Sequence, residues 1–276
     1  MTIIASLLRA VELPESPTAR LDIELLLAAA LGKSRSYLHT WPERIVPSEA
    51  ANAFAAFIRR RQAGEPIAYI LGQQGFWKLD LEVAAHTLIP RPETELLVEA
   101  AVQLLPTRSA RVLDLGTGSG AIALALASEC SAWQVTGVDR IAEAVALAER
   151  NRVRLNLGNA RVLESHWFSA LHGERFDLIV SNPPYIASAD PHLSAGDVRF
   201  EPASALVAGE DGLDDLRLII GQAPAHLNPG GWLLLEHGYD QAPVVRELLA
   251  QHDFEQIESR IDLGGHERIT LGRLLC

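Results

Sequence analysis

The sequence predicts an α/β protein: a parallel sheet covered by helices on both faces, preceded by a small helical bundle and a β-hairpin linker. Three observations carry this. From Ala110 onward, short apolar runs alternate with helical stretches, the pattern of strands buried on both faces. Residues 1–73 carry helical spacing and no strand pattern. Between the two, Gln74–Val83 alternates apolar and polar residues, the period of a strand.

In the head, Ile3, Ile4, Leu7 and Leu8 recur at helical spacing. A second helix starts at Pro17 or Thr18 and presents Leu21, Leu25, Leu26 and Ala29 on one side. Gly32 closes it as a C-cap. Ser48 is placed to cap a third helix, through Phe54, Phe57 and Ile58 to Gln62. Its Arg59-Arg60-Arg61 run either forms a basic patch or offsets the helix dipole from solvent. After the hairpin, Pro92 suits the first turn of a helix reaching Leu105.

Five strands follow: Arg111–Leu115, Gln134–Val138, Ala160–Leu163, Asp177–Val180 and Trp232–Glu236. Helices Ile122–Ser128, Ile141–Arg150 and Leu213–His226 lie between them. Two more β-like runs, Glu255–Ser259 and Arg268–Leu274, have no helix between them and close the sheet as an antiparallel pair. The expected division is residues 1–73, 74–88 and 89–276.

The chain has 276 residues, 48% hydrophobic and 21% charged, the balance of a soluble globular protein. Its net charge of −11 disfavours phosphate backbones as partners. Two cysteines, Cys130 and Cys276, offer neither a disulfide framework nor metal spacing, and fit a reducing compartment. The N-terminus reads as neither signal peptide, transit peptide nor membrane span, so the cytoplasm is the expected location and no membrane partner is expected.

The first strand ends in Asp114-Leu115-Gly116-Thr117-Gly118-Ser119-Gly120. Glycines there let backbone approach a ligand closely. The spacing is G-x-G-x-G with no following Gly-Lys, which excludes a P-loop and disfavours a dinucleotide. The second strand ends on Asp139, where a carboxylate can accept from two ribose hydroxyls. It can also cap the next helix, and the two roles are compatible. The fourth strand runs into Asn182-Pro183-Pro184-Tyr185. Each proline fixes its own φ, and Pro184 keeps Pro183 out of the helical region, so the carbonyls there point in set directions. Tyr185 adds a flat face for a planar group.

DLGTGSG followed by GVD resembles the S-adenosylmethionine site of Rossmann-like methyltransferases. With SNPPY, TLIPRPETELLVE, HWFSAL, GDVRFEPASALVAGEDG, LLLEHG and GGHERITLGR added, the chain is similar over its whole length to the peptide-chain release factor N5-glutamine methyltransferases. That resemblance implies a Rossmann-like, seven-stranded methyltransferase domain over residues 89–276, and a helical head that contacts the release factor. It implies S-adenosylmethionine as cofactor, held by Gly116, Thr117, Gly118, Ser119, Gly120, Asp139, Trp167 and Asn182. It implies substrate binding by Asn182, Pro183, Pro184 and Tyr185, with Asn182, Pro183 and Tyr185 catalytic and no metal. One position departs from the family: His166 stands where the family often has an Asp that accepts from the adenine amino group.

The motif suits an amide. An amide nitrogen is a poor nucleophile, so it must be held in line and polarised. The Asn182 side-chain oxygen and the Pro183 carbonyl would accept its two N–H groups. The family resemblance makes release factors the expected partner, for a monomeric enzyme. Glu201 and Glu236 are further candidates to line the pocket. A nucleic-acid amino-methyltransferase would use similar chemistry, but it must also neutralise phosphates. A non-catalytic cofactor-binding protein would not need the intact corner.

Overall fold

The structure, a computed structural model, describes residues 2–105 and 109–275. It contains two compact units. One comprises residues up to Gln73 together with Ala195–Phe200; the other comprises Gln74–Ser194 and Glu201 onward.

The first unit is helical: α1 (Ile4–Ala10), α2 (Ala19–Leu31), α3 (Arg35–Thr40), α4 (Ser48–Gln62) and α5 (Ile67–Leu71). Ile4, Leu8, Ile23, Leu26, Leu27, Leu38, Phe54, Ile58 and Ile70 make its core. Gly32 ends α2 in the left-handed region, as expected. Several expectations need correcting. The buried stripe of α2 is Ile23, Leu26 and Leu27, whereas Leu21 is 38% exposed and Ala29 is exposed. The stripe was hidden because Asp22 and Glu24 are buried as well. Glu24 is met by Arg20 and Arg35, and Asp22 by Arg61. Arg61 is thus neither solvated nor part of a basic patch, since it also pairs with Asp197 at 2.9 Å. Ser48 does not cap α4; Pro47 takes the cap position, so Ser48 lies inside the helix. Helices α3 and α5 span only six and five residues, too few to show a period in sequence.

The second unit opens with the hairpin β1 (Gln73–Phe76) and β2 (Leu79–Glu82), then α6 (Glu95–Leu104) after a 3₁₀ turn at Pro92–Thr94. There follow β3 (Arg111–Leu115), α7 (Ala121–Glu129), β4 (Gln134–Asp139), α8 (Ala142–Arg154), β5 (Ala160–Glu164) and β6 (Phe176–Ser181). The chain ends with α9 (Asp214–His226), β7 (Leu227–Glu236), α10 (Ala242–Gln251), β8 (Phe254–Ile261) and β9 (Glu267–Leu274). The large sheet has seven strands in the order β5-β4-β3-β6-β7-β9-β8, as the expected fold class requires. Strands β3 to β7 pair in parallel, while β9 is antiparallel to β7 and β8. Helix α10 was not foreseen. Strand β7 starts earlier than Trp232, but its pairing with β6 jumps from Phe176↔Leu227 to Leu178↔Trp232, because Asn228–Gly231 bulge out of register.

Side chains alternate between the two faces. Val112, Leu178, Val180 and Leu234 pack with α6 and α7, and Leu113, Leu115, Ile179, Leu233 and Leu235 pack with α9 and α10. The chain runs outward from β3 through β4 to β5, then returns to β6 on the other side of β3. That reversal puts a topological switch between β3 and β6, where open α/β sheets leave a crevice at the carboxyl ends of their strands. Leu115 pairs with Ser181 there, so Gly116 and Asn182 leave the sheet side by side.

Candidate active site

The glycine loop is held from its own turn and from β4 and α8. Gly116 N–H and Thr117 N–H both donate to the Val138 carbonyl at 2.9 Å, and Gly120 N–H donates back to Thr117 at 2.8 Å. Gly116 has φ +73° and Gly120 φ +88°, values open to glycine and strained for most other residues. A Cβ at Gly120 would come within 2.8 Å of Leu124. A Cβ at Gly116 would reach the Trp167 ring at 3.4 Å and fill the space over that ring. Trp167 itself is buried with φ +50°.

Beneath the loop lies Asp114, fully buried. Its Oδ2 accepts from Thr117 Oγ1 at 2.6 Å and from Ala123 N–H at 3.1 Å, while Oδ1 has no partner. Burial raises its pKa to about 7, against the lowering effect of those two bonds. Asn151, buried in α8, ties the loop from the side. Its Nδ2 donates to the Ser119 carbonyl at 2.9 Å and to the Glu82 carbonyl at 3.0 Å. Asp139 stands just before α8, whose cap position is Ile141 itself: Oδ1 takes Ile141 N–H at 3.0 Å, and Oδ2 takes Gly118 N–H at 2.9 Å, a bond to the glycine loop that was not expected. Each oxygen keeps a lone pair for a further donor.

A cavity opens above this loop. Gly116, Thr117, Gly118, Ser119, Asp139, Trp167, Asn182 and Pro184 line it, together with His86, Leu88, Ile122, Ile141 and His166. Of the residues expected at the site, Gly120, Pro183 and Tyr185 stand outside that lining. Gly120 forms the turn into α7. His166 borders the cavity but is an exposed loop residue.

The Asn-Pro-Pro-Tyr corner is held differently. Asn182 Nδ2 donates to Thr94 Oγ1 at 3.1 Å, and the Tyr185 hydroxyl donates to Glu236 Oε1 at 3.2 Å. Gln241 Nε2 donates to the Tyr185 carbonyl at 3.0 Å. Burial raises the Tyr185 phenol far above its ordinary range, and the neighbouring Glu236 carboxylate adds to this. Burial also pushes Glu236 up to about 7, opposed by the Thr94 hydroxyl and the charge of Arg268. Neither Glu236 nor Glu201 lines the cavity. Glu201 accepts from Arg91 and from Ile89 N–H at 3.2 Å, and so anchors the segment before Thr94.

Three of these residues escaped the sequence reading as site residues: Asp114, Asn151 and Thr94. Asp114 left a signal, an acid inside an apolar strand. Thr94 and Asn151 left none, because their partners lie 88 and 32 residues away.

A seven-stranded sheet of this order, with a glycine cradle at its switch point and an acid ending the next strand, defines a Rossmann-like methyltransferase. The comparisons narrow the class. Residues 5–72 match the family model described as PrmC N-terminal domain, and residues 92–258 match the Methyltransferase small domain. The release factor glutamine methyltransferase of Pseudomonas aeruginosa is 67% identical over 276 residues, covering 100% of both chains. That of Salmonella typhimurium is 52% identical over 262 residues, 95% of each chain. A methyltransferase crystal structure from Pyrococcus furiosus superposes with a TM-score of 0.57 at 20% identity, covering 80% of this chain and 98% of that one, a likeness of fold.

The chain belongs to the release factor glutamine methyltransferase family. Its cofactor is S-adenosylmethionine, and the site fits it. The loop glycines leave room that a Cβ would fill, Asp139 keeps free lone pairs, and Trp167 offers an apolar face. Among the described residues no helix is long and apolar enough to cross a membrane.

Proposed function

We propose that the protein transfers a methyl group from S-adenosylmethionine to the side-chain amide nitrogen (N5) of the glutamine in the Gly-Gly-Gln loop of bacterial peptide-chain release factors. The observation that carries this is the adjacency of Gly116 and Asn182 at the ends of paired strands, which puts the proline corner next to the glycine loop.

The cofactor supplies an electrophilic methyl on a sulfonium, with a neutral thioether as leaving group. Gly116 to Gly120 would carry its backbone-facing side, Asp139 its ribose hydroxyls, and Trp167 would pack along it near the adenine. The Asn182 Oδ1 and the Pro183 carbonyl would accept the two N–H groups of the glutamine amide and let charge build on its nitrogen. Pro184 and Tyr185 would hold the amide plane. Holding partners in near-attack geometry can supply roughly 7–11 kcal/mol of a barrier, so a strong general base is not required. The attacked nitrogen becomes acidic as it alkylates and gives its proton to water or through Asn182.

The helical head, residues 1–73, would add a second contact for a protein partner. Residues 74–88 serve as linker and 89–276 as the catalytic domain in this reading. The enzyme acts as a monomer in the cytoplasm, without direct nucleic-acid binding. The net charge of −11 supports a protein substrate over RNA or DNA.

The test is incubation with methyl-labelled S-adenosylmethionine and either purified release factor or RNA, followed by peptide mapping. Label on the Gly-Gly-Gln glutamine is the expected result. Label only in RNA supports a nucleic-acid amino-methyltransferase, and label in neither a non-catalytic binding protein.

A further inference from the structure

Two side chains at the corner have no part in the chemistry so far, Thr94 at the cavity wall and Glu236 behind it. Thr94 accepts the Asn182 Nδ2–H at 3.1 Å, from the 3₁₀ turn that precedes α6. Glu236 accepts the Tyr185 hydroxyl at 3.2 Å, from the last position of β7. Leu235 is the last residue of β7 to pair with β6, opposite Ser181, so Glu236 and Asn182 both lie one residue past that pair. Glu236 is 1% exposed, and its Oε2 makes no hydrogen bond within 3.5 Å. The Thr94 hydroxyl is nonetheless close enough to favour its charged form. Asn182 with Thr94 and Tyr185 with Glu236 thus make two bonded pairs at the corner.

We propose that Thr94 and Glu236 are positioning residues that decide which end of the Asn182 amide faces the substrate. A side-chain amide has a donor end and an acceptor end of nearly the same shape, and only its partners distinguish them. An ionised carboxylate can only accept. Glu236 therefore takes the Tyr185 O–H directly, and its negative charge favours turning the nearby Thr94 O–H toward it without a hydrogen bond between them. Thr94, with its hydrogen directed at Glu236, has only lone pairs to offer Asn182, and these take the Nδ2–H. The acceptor end, Oδ1, is left for the incoming N–H. The same carboxylate holds Tyr185 by its hydroxyl, so one buried charge orients both ends of the corner. The inference rests on the reading of Asn182 as acceptor for the substrate amide.

Other charges face this group. Arg268 on β9 favours the carboxylate, and Glu93 in the same turn as Thr94 opposes it. Arg91 lies near Tyr185, and Asp262 and the His237 carbonyl hold Arg268. His237 stays neutral, its pKa lowered by burial.

The experiment measures methyl transfer to purified release factor, with kcat and KM separated, alongside S-adenosylmethionine affinity by calorimetry and folding by circular dichroism. Thr94→Val keeps the volume and removes the hydroxyl. Glu236→Gln keeps the shape and supplies a donor where only acceptors belong. Both are expected to lower kcat on the order of 10- to 100-fold, with cofactor affinity little changed. Thr94→Ser, which keeps the hydroxyl, is expected to restore most of the activity. Wild-type kcat is expected to fall as pH drops below about 7, and Glu236→Gln to lose that limb. Folded Thr94→Val or Glu236→Gln enzyme with wild-type kcat overturns the proposal. So does a loss of cofactor affinity that matches the loss of kcat, which would mark a general distortion. A wild-type enzyme that labels RNA and no release factor overturns the proposed function, and this relay with it.

Discussion

Each half of the site stands on one buried carboxylate, and the two are built in opposite ways. Asp114 under the glycine loop is served by Thr117 and Ala123, three and nine residues further along the chain. Glu236 under the proline corner is served by Tyr185, 51 residues away, and Asn182 next to it leans on Thr94, 88 residues away. Burial lifts both acids to about 7, and each has one oxygen without a partner. The acid under the cradle is therefore met within one strand-turn-helix, although β4 and α8 also hold the loop through Val138, Asp139 and Asn151. The corner is assembled only when β6, β7 and the turn before α6 have come together. The first acid is met from its own turn and the second from distant strands, so the two halves should fail differently.

The largest expected effect is on stability, and it compares the two acids directly. Folding raises the Asp114 pKa from 3.8 to about 7 and that of Glu236 from 4.5 to about 7. Across those windows the folded state holds a proton that the unfolded chain has already released. Stability therefore falls as pH rises through each window and levels off above it, by on the order of a few kcal/mol for each acid. Urea titrations at stepped pH should show this fall reduced in Asp114→Asn and, separately, in Glu236→Gln. An unchanged pH slope in both variants would mean that neither acid is buried as described.

Next comes Asn182→Ala, which removes the acceptor from the corner and leaves the cradle intact. Single-turnover kinetics should show a loss of roughly 10²- to 10³-fold in rate, with S-adenosylmethionine binding changed only modestly. If turnover survives, the corner does not grip the substrate amide. Asp139→Ala probes the other half. Loss of hydrogen bonds to a charged group costs about 1.5–3 kcal/mol, so cofactor affinity measured by calorimetry should weaken while release-factor KM holds. A KM shift without an affinity loss would detach Asp139 from the cofactor.

The smallest effect is expected for Gly116→Ala. The left-handed φ of +73° and the 3.4 Å approach to Trp167 together should cost about 1–2 kcal/mol. Part of that should show as a lower melting temperature and part as weaker cofactor binding. Wild-type values for both would mean that the loop relaxes freely, and that the cradle is less fixed than its hydrogen bonds to Val138 imply.

Much of this was legible from residues alone, and the failures are instructive. The order of strands and helices from Arg111 to Leu274, α10 excepted, follows from apolar runs separated by helical periods. Asp139 was readable because a strand that ends on an acid just before a helix has few other reasons to do so. The inward face of α2 was misread because Asp22 and Glu24, acids that ordinarily mark a wet face, are buried against Arg20 of the same helix and against Arg35 and Arg61 from elsewhere in the head. Arg61 was misread for the same reason: its partner Asp197 lies 136 residues downstream. Helices α3 and α5 were too short for any period to register.

Taken alone, the amino-acid order determined the class of fold, the glycine cradle with its following acid, and the stiff proline corner. Each of these is written in consecutive residues, through periodicity, the freedom of glycine and the fixed φ of proline. The tertiary structure alone decided which buried groups hold the corner: Thr94 beneath Asn182 and Glu236 beneath Tyr185. Those contacts join segments far apart in the chain, and a hydrogen bond between such segments has no trace in local sequence, because it depends on where the sheet brings its strand ends together.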